Sequence, residues 1–337
     1  MGERANDDAT AEPSHPRLVA IRPGALGDAL LTFPVLSWLR HHVPSVRIAL
    51  VARRDVLLLA QSSGVADDVS PYEDPAWSVL FADEPASRGL AYQICSGARV
   101  VAWFGADDGV VRRNLLALGA SAVVVAPGKP VQSCQRHMAL QLGEGLAQVG
   151  YPAPATVEEL VEVSPPVRPS DECRDRILSW LSAHDIEARR LVAVHPGSGG
   201  DAKRWPGESF AALLASLAAD GYSPMLIEGP QDTGVVREIL SSLSLLAGSV
   251  PIARDLPVER LAALLGRCAA YVGNDSGVTH LAALAGCPTV AIFGPTDDAL
   301  WRPLGRRVLL ARAATGRVAD VPVDSVAALV RDLLAGE

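Results

Sequence analysis

Residues 271–296 read YVGNDSGVTHLAALAGCPTVAIFGPT. An apolar run ends in a polar knot of Asn274, Asp275, Ser276, Thr279 and His280, a helix of small residues follows, and a second apolar run closes the stretch. Two strands separated by a helix of this length imply a parallel sheet, covered by helices on both faces. The polar knot falls where the first strand gives way to the helix. Such a place is either an ordinary helix cap or a grip for an anion.

The same alternation extends outward in both directions. Upstream come LVAVHPG, the helical FAALLASLAADG, the strand-like SPMLIEGP, the helical DTGVVREILSSL, a short VPIA and the helical PVERLAALLGRC. The first half of the chain repeats the pattern from Arg17: LVAI, a glycine-containing loop, the helical DALLTFPVLSWLRHH, then VRIALVA, ARVVAWF, SAVVVA and the helical QRHMALQLGEGLAQVG. The expected architecture is α/β: two facing, doubly wound parallel-sheet domains, at 17–163 and 171–337. The proline-rich 164–170, within VEVSPPVRPS, reads as the linker, and the polar residues 1–16 as a disordered tail.

Composition narrows the function. The 337 residues are 49% hydrophobic but only 5% aromatic, with a net charge of −8, so no basic face for nucleic acid is implied. Five cysteines without a C-x-x-C pair read as reduced thiols. The N-terminus has no apolar signal core and no long apolar run follows, so a cytoplasmic protein is expected.

Ligands of open parallel sheets bind outside the carboxyl ends of the strands. Three polar clusters of the second half sit there: HPGSGGDAKRWP, EGPQD and GNDSGVTH. In the first, glycines let backbone N–H groups approach a ligand and Lys203 supplies a cation, which suits a phosphate. In the third, the helix start near Ser276 favours an anion, and His280, four residues on, shares the face of Ser276. A cap accounts for one of these residues and leaves His280 and Gly277 unexplained. In the first half, RPGALGDALL places Asp28 at another strand-to-helix loop, as a helix cap or as a general base across a cleft. Pro34 is expected to kink the first helix or restart it with Thr32 as cap. Arg22, Arg53, Arg54 and Arg136 are weak candidates for the acceptor side, with solvated surface arginines as the alternative, and Trp103 and Phe104 read as core. No dinucleotide or P-loop fingerprint occurs, nor any D-x-D triplet or H-x-x-x-H metal spacing. Neither a metal nor a cofactor is therefore expected, and Lys203 with the helix dipoles would balance a diphosphate.

Three segments, RPGALGDALLTFPVL, HPGSGGDAKRWPGESFAALLASL and GNDSGVTHLAALAGCPTVAIFGPTDDALWRP, together resemble glycosyltransferase family nine, the ADP-heptose:lipopolysaccharide heptosyltransferases. The resemblance covers essentially Arg17 to the C-terminus. It implies a GT-B fold, an N-terminal acceptor domain, a C-terminal nucleotide-sugar domain and metal-independent, inverting transfer. Asp28 then matches the general base. Ser198, Gly199 and Lys203 match the first phosphate loop, while Asp275, Ser276, Gly277 and His280 match the motif that holds the donor diphosphate and its sugar. Gln231 stands where some heptosyltransferases carry a Glu that contacts ribose or base, and Glu228 replaces a small residue. The expectation is a cytoplasmic monomer that moves a sugar, such as heptose from ADP-heptose, to a hydroxyl of a lipopolysaccharide-core-like or other glycan acceptor. A lipid-linked acceptor leaves room for peripheral contact with the inner membrane. A nucleotide-sugar epimerase of the same fold and a non-catalytic sugar-nucleotide-binding protein remain as alternatives.

Overall fold

The computed structural model describes residues 17–84, 88–104, 109–131, 134–243 and 250–335; the expected tail at 1–16 lies outside them. Aliphatic and β-branched runs form two parallel sheets. The first contains β1 (Arg17–Arg22), β2 (Arg47–Ala52), β3 (Asp68–Pro71), β4 (Arg99–Phe104) and β5 (Ala122–Pro127), in the order β3-β2-β1-β4-β5. The second contains β6 (Leu191–His195), β7 (Ser223–Glu228), β8 (Ile252–Arg254), β9 (Ala270–Asn274), β10 (Thr289–Phe293) and β11 (Val308–Arg312), in the order β11-β10-β9-β6-β7-β8. Strand order reverses between β1 and β4 in one sheet and between β6 and β9 in the other. Neighbouring connections there leave towards opposite faces, which opens a crevice at the carboxyl ends. Every functional candidate with an assigned strand-end position follows one of these strands or an immediate neighbour.

Sequence reading missed β3 and β11. Both are edge strands; β3, the four residues DVSP, carries no apolar run, whereas β11, VLLAR, carries one that was overlooked. The helices Arg54–Ser62, Leu90–Cys95 and Val110–Ala117 were also not anticipated. The first long helix is two: Leu26–Leu30 and Thr32–His42, joined at Leu31. Thr32 is not the cap of the second, because Leu31 occupies that position and the Thr32 hydroxyl instead donates to the Ala29 carbonyl at 2.6 Å. Pro34 falls in the first turn of the second helix, where an N–H lacks an intrahelical acceptor, so the expected restart is found, with Leu31 rather than Thr32 as the cap.

Residues 164–170 run between the helices Val157–Val163 and Asp171–Ala183 and are fastened to both domains. Val167 N–H donates to Leu284 O at 2.8 Å, Arg168 N–H to the Ser63 hydroxyl at 2.9 Å, and Ser170 N–H to the Glu259 carboxylate at 2.9 Å. The domains also meet through helices. Arg54–Ser62 packs on Val258–Leu265, and Leu26–Leu30 on Gly277–Leu284. One apolar cluster consequently runs from the N-terminal sheet through these helices to the C-terminal sheet, while two further clusters fill the outer faces. His137 adds a polar tie. Its Nδ1 accepts from Ala139 N–H at 3.2 Å, so Nε2 carries the hydrogen that is donated across to the Arg302 carbonyl at 2.9 Å. All five cysteines are free thiols. Among the described residues no helix is long and apolar enough to cross a membrane.

Candidate functional site

The polar knot resolves into separate duties. Asn274, fully buried, accepts from Trp205 N–H at 3.0 Å and donates to the Pro196 carbonyl at 2.8 Å. It thereby clamps the loop after β6 to the end of β9. Asp275 pairs with Lys203: Nζ lies 2.7 Å from Oδ2, with the carboxylate side chain 8% exposed and the lysine 37%. Thus Lys203 comes to the helix start, as the sequence suggested, but bound to a carboxylate. Ser276 caps the helix Gly277–Leu284 by accepting from Thr279 N–H at 3.4 Å. The cap reading is therefore correct for Ser276, and it leaves the other residues free for other work.

Ser276 also heads a buried network that the sequence did not reveal. Its hydroxyl lies 3.4 Å from His195 Nδ1, and His195 Nε2 lies 3.1 Å from Asp232 Oδ2. That same carboxylate oxygen accepts from Gly229 N–H at 2.9 Å, so Nε2 carries a hydrogen and, in the neutral ring, Nδ1 accepts from Ser276. Burial raises the pKa of Asp232, but the bonds from His195 and Gly229 outweigh it and hold the carboxyl below its ordinary value. On the other side of Ser276, Thr279 Oγ1 lies 3.1 Å away and meets the Tyr271 hydroxyl at 3.0 Å. His195 and Asp232 were visible only as members of HPGSGG and EGPQD. No spacing links residues 37 apart.

The glycines separate by role. An added Cβ at Gly277 would lie 2.8 Å from Leu26 Cβ and 2.9 Å from Gly27 N. Gly277 is thus required by the close packing of the two domains' helices, which a ligand-contact reading alone had not foreseen. In the loop after β6, a Cβ at Gly197 would lie 2.2 Å from Asp232 Oδ1, whereas one at Gly199 meets nothing within 4 Å. Gly199 is exposed, and the Ser198 hydroxyl folds its own loop by donating to Gly200 O at 2.7 Å. Gln231 is exposed, and Glu228 pairs with Arg254 at 2.8 Å.

His280 lies at the seam between domains, 5% exposed, with its Cδ2 3.3 Å from where a Cβ on Gly27 would stand. Its ring nitrogens have no hydrogen-bond partner among the described residues. Burial drives its pKa down to about 4 against the opposing pull of Asp275, with the fields of His137 and Lys203 lowering it further, so the ring is neutral at pH 7.

Asp28, the residue after Gly27, is not the helix cap. It occupies the third helical position, and its Oδ2 accepts from the cap residue's N–H, that of Ala25, at 3.2 Å. Its Oδ1 takes a 3.0 Å ion pair from Arg22, which is 2% exposed against 27% for the aspartate. Arg22 was expected to face an acceptor, but its guanidinium also donates to Gly128 O at 2.8 Å and to the backbone carbonyl of Asp28 at 3.3 Å. Its work is to position Asp28. Burial lowers the pKa of Arg22 while Asp28 raises it. Gly24, at φ +138, lets the chain turn tightly enough to bring the carboxylate back to Ala25.

Asp28 and Arg22 line a cavity of about 660 Å³ at the carboxyl ends of β1, β4 and β5. Arg53, Arg54 and Arg136 do not line it. Arg53 pairs with Asp55, Arg136 pairs with Glu144, and Arg54 is exposed at the start of its helix. They are surface arginines. Trp103 and Phe104 both line the cavity; Trp103 is buried, as read, while Phe104 is partly exposed.

The profile of glycosyltransferase family 9 (heptosyltransferase) matches residues 113–326. The chain belongs to this family. Within it, the chain is 34% identical over 131 residues to lipopolysaccharide heptosyltransferase 2 of Salmonella typhimurium, a match that spans 38% of this chain and 38% of that protein's length. It is 24% identical over 305 residues to an Escherichia coli lipopolysaccharide heptosyltransferase 3, across 84% and 85% of the two chains. Among solved structures, the E. coli ADP-heptose lps heptosyltransferase II superposes with a TM-score of 0.70 at 20% identity, over 95% of this chain and 99% of that one. The family 9 chain thus has the GT-B fold expected of it.

Proposed function

We propose that this family 9 protein is an inverting, metal-independent glycosyltransferase that moves heptose from ADP-heptose to a hydroxyl of a lipopolysaccharide-core-like acceptor. The observation that carries the reading is the packing of Leu26–Leu30 on Gly277–Leu284. It joins the helix that bears Asp28 to the helix whose start bears Ser276 and the Asp275–Lys203 pair. Family membership supports the same reading, and so does a structural neighbour named for ADP-heptose. Nothing specific favours an epimerase or a non-catalytic binder.

In the proposed reaction the acceptor hydroxyl enters the cavity beside Asp28. Each carboxylate oxygen already accepts one hydrogen bond, which fixes the group and leaves lone pairs free for the incoming proton. A single displacement at the anomeric carbon then inverts it. The O–H bond of the acceptor passes its proton to Asp28 as the new C–O bond forms, and the bond to the diphosphate breaks. Negative charge grows on the leaving diphosphate, where Lys203 and the N–H groups of the Ser276 helix start stabilise it. His280, neutral and without a hydrogen-bond partner among the described residues, supplies a further polar contact on the donor side. The Ser276–His195–Asp232 network holds the helix start in place.

The test uses purified protein, ADP titration by calorimetry, and mass spectrometry of products from ADP-heptose with candidate core acceptors. Binding of ADP together with a heptosylated product at rates indifferent to excess chelator is the expected result. Isomerisation of the donor without acceptor, or activity that chelator removes and magnesium or manganese restores, would overturn the proposal.

A further inference from the structure

A second cavity belongs to the C-terminal domain alone. The helices Asp171–Ala183 and Val258–Leu265 pack on each other, and between them, against the edge strand β8, is an opening of about 240 Å³. Its apolar wall comprises Ile177, Trp180, Ala253, Leu256 and Leu264. The Trp180 ring packs against that of His184, 4.6 Å between centroids, and this contact restrains the indole. Three arginines, Arg176, Arg254 and Arg260, also line the opening, and among the described residues of the lining there is no carboxylate. In a chain of net charge −8 that is a local reversal of sign. The three cations differ in what they already hold. Arg176 pairs with Glu172 at 2.8 Å, both side chains more than half exposed, so the pair is worth little and yields easily to a competing anion. Arg254 spends Nε on Glu228, at 2.8 Å, and has its terminal N–H groups left over. Arg260, half-buried, has no hydrogen bond or ion pair among the described residues.

We propose that this cavity binds a small organic phosphate, a ring-sized apolar body bearing one phosphate monoester, at a site separate from the donor site. A guanidinium fork matches a phosphate with two parallel hydrogen bonds, and Arg260 is free to offer one. The terminal N–H groups of Arg254, and Arg176 on leaving Glu172, add to it. The ring body lies against Trp180 and the aliphatic wall. Size narrows the ligand further: a dry cavity of about 150 Å³ accommodates benzene, so one of about 240 Å³ suits two fused rings rather than a long acyl chain. The Lys203–Asp275 pair, the Ser276 helix start and the Ser276–His195–Asp232 network contribute nothing to the walls. ADP and the organic phosphate therefore bind independently.

Calorimetric titration of the full chain with 1-naphthyl phosphate, 1-naphthol and inorganic phosphate tests this, alongside sedimentation with phosphatidylcholine vesicles that contain phosphatidate. Naphthyl phosphate should bind at one site, about tenfold or more tighter than either fragment, because only it uses both the arginines and the apolar wall. Saturating ADP should leave its affinity unchanged. Arg260→Met should weaken it about tenfold or more, the loss of a charge-assisted contact. Trp180→Leu should weaken it about 3- to 10-fold, the worth of one aromatic contact. Circular dichroism and thermal melting check that both variants are folded, and the Arg260 variant decides if Trp180→Leu does not fold. The proposal is overturned if naphthyl phosphate does not bind, if naphthol or inorganic phosphate binds as tightly, if ADP displaces it, or if a folded Arg260→Met variant binds it unchanged. Sedimentation with phosphatidate vesicles, without binding of the soluble phosphate, would equally overturn it in favour of a lipid surface.

Discussion

Replacing Asp28 by Asn changes one atom's chemistry and tests two claims at once. An amide cannot take up the acceptor's proton, and general base catalysis contributes about 10²–10⁴-fold, so turnover should fall by that factor. The structure adds a second consequence. Wild-type Asp28 accepts from Arg22 on Oδ1 at 3.0 Å and from Ala25 N–H on Oδ2 at 3.2 Å. Asn has a single acceptor oxygen, so its NH₂ must face one of those donors. Arg22 is 2% exposed and retains its bonds to Gly128 and the Asp28 backbone, so the pair is weakened rather than abolished. Leaving one donor unpaired costs about 1–3 kcal/mol. For domains of this size the melting temperature should drop by about 2–4 °C per kcal/mol. ADP affinity should change less than about threefold, since a difference below 0.7 kcal/mol is expected for a group on the opposite domain. The assays are product formation at saturating donor and an acceptor that the wild type glycosylates, thermal melting, and ADP titration. A folded variant that keeps more than about a tenth of wild-type turnover, with chemistry rate-limiting, would remove Asp28 as base. An unchanged melting temperature would refute the argument from Arg22.

Lys203→Ala should weaken ADP about 10- to 150-fold, because it removes a charge-assisted contact and also leaves the Asp275 carboxylate, 8% exposed, facing the diphosphate; calorimetry showing unchanged affinity in a folded variant would return Lys203 to an ordinary ion pair. Gly277→Ala should cost about 1–3 kcal/mol by overpacking, since its Cβ would stand 2.8 Å from Leu26 Cβ; a variant as stable as the wild type with the same small-angle scattering profile would contradict the helix contact. Stability should fall as pH is lowered from about 6.5, the ordinary histidine value, towards 4, because the unfolded chain takes up a proton there while His280 in the fold resists it. His137, also depressed by burial, acts in the same direction, and each site adds a slope of at most about 1.4 kcal/mol per pH unit. Urea unfolding across that range should give a shallower dependence for His280→Gln, and identical slopes would show that His280 is not the buried neutral group.

Sequence by itself determined the two parallel sheets, because central strands buried on both faces must be written as continuous apolar runs, and the helices between them as small-residue amphipathic stretches. It also placed Asp28, Lys203, Asp275, Ser276 and His280 at strand ends, since glycine, polar and charged residues concentrate where a strand turns into a helix at a crevice. Only the tertiary structure decided what those residues do to one another. The Lys203–Asp275 and His195–Asp232 pairs join the carboxyl ends of different strands or the segments that follow them, and no period in a sequence encodes such a contact. Gly277 reads like a residue kept small for a ligand until the packed helix of Leu26 is seen above it. The edge strand β3 was hidden for the opposite reason: its four residues, DVSP, hold no apolar run to stand out, whereas β11, VLLAR, holds one that was legible in the sequence. Arg22 shows the limit most plainly. A sequence marks it as a charge near a strand end, but whether that charge meets a ligand or is spent on Asp28 depends on which carbonyls surround it, and the folded chain alone supplies them.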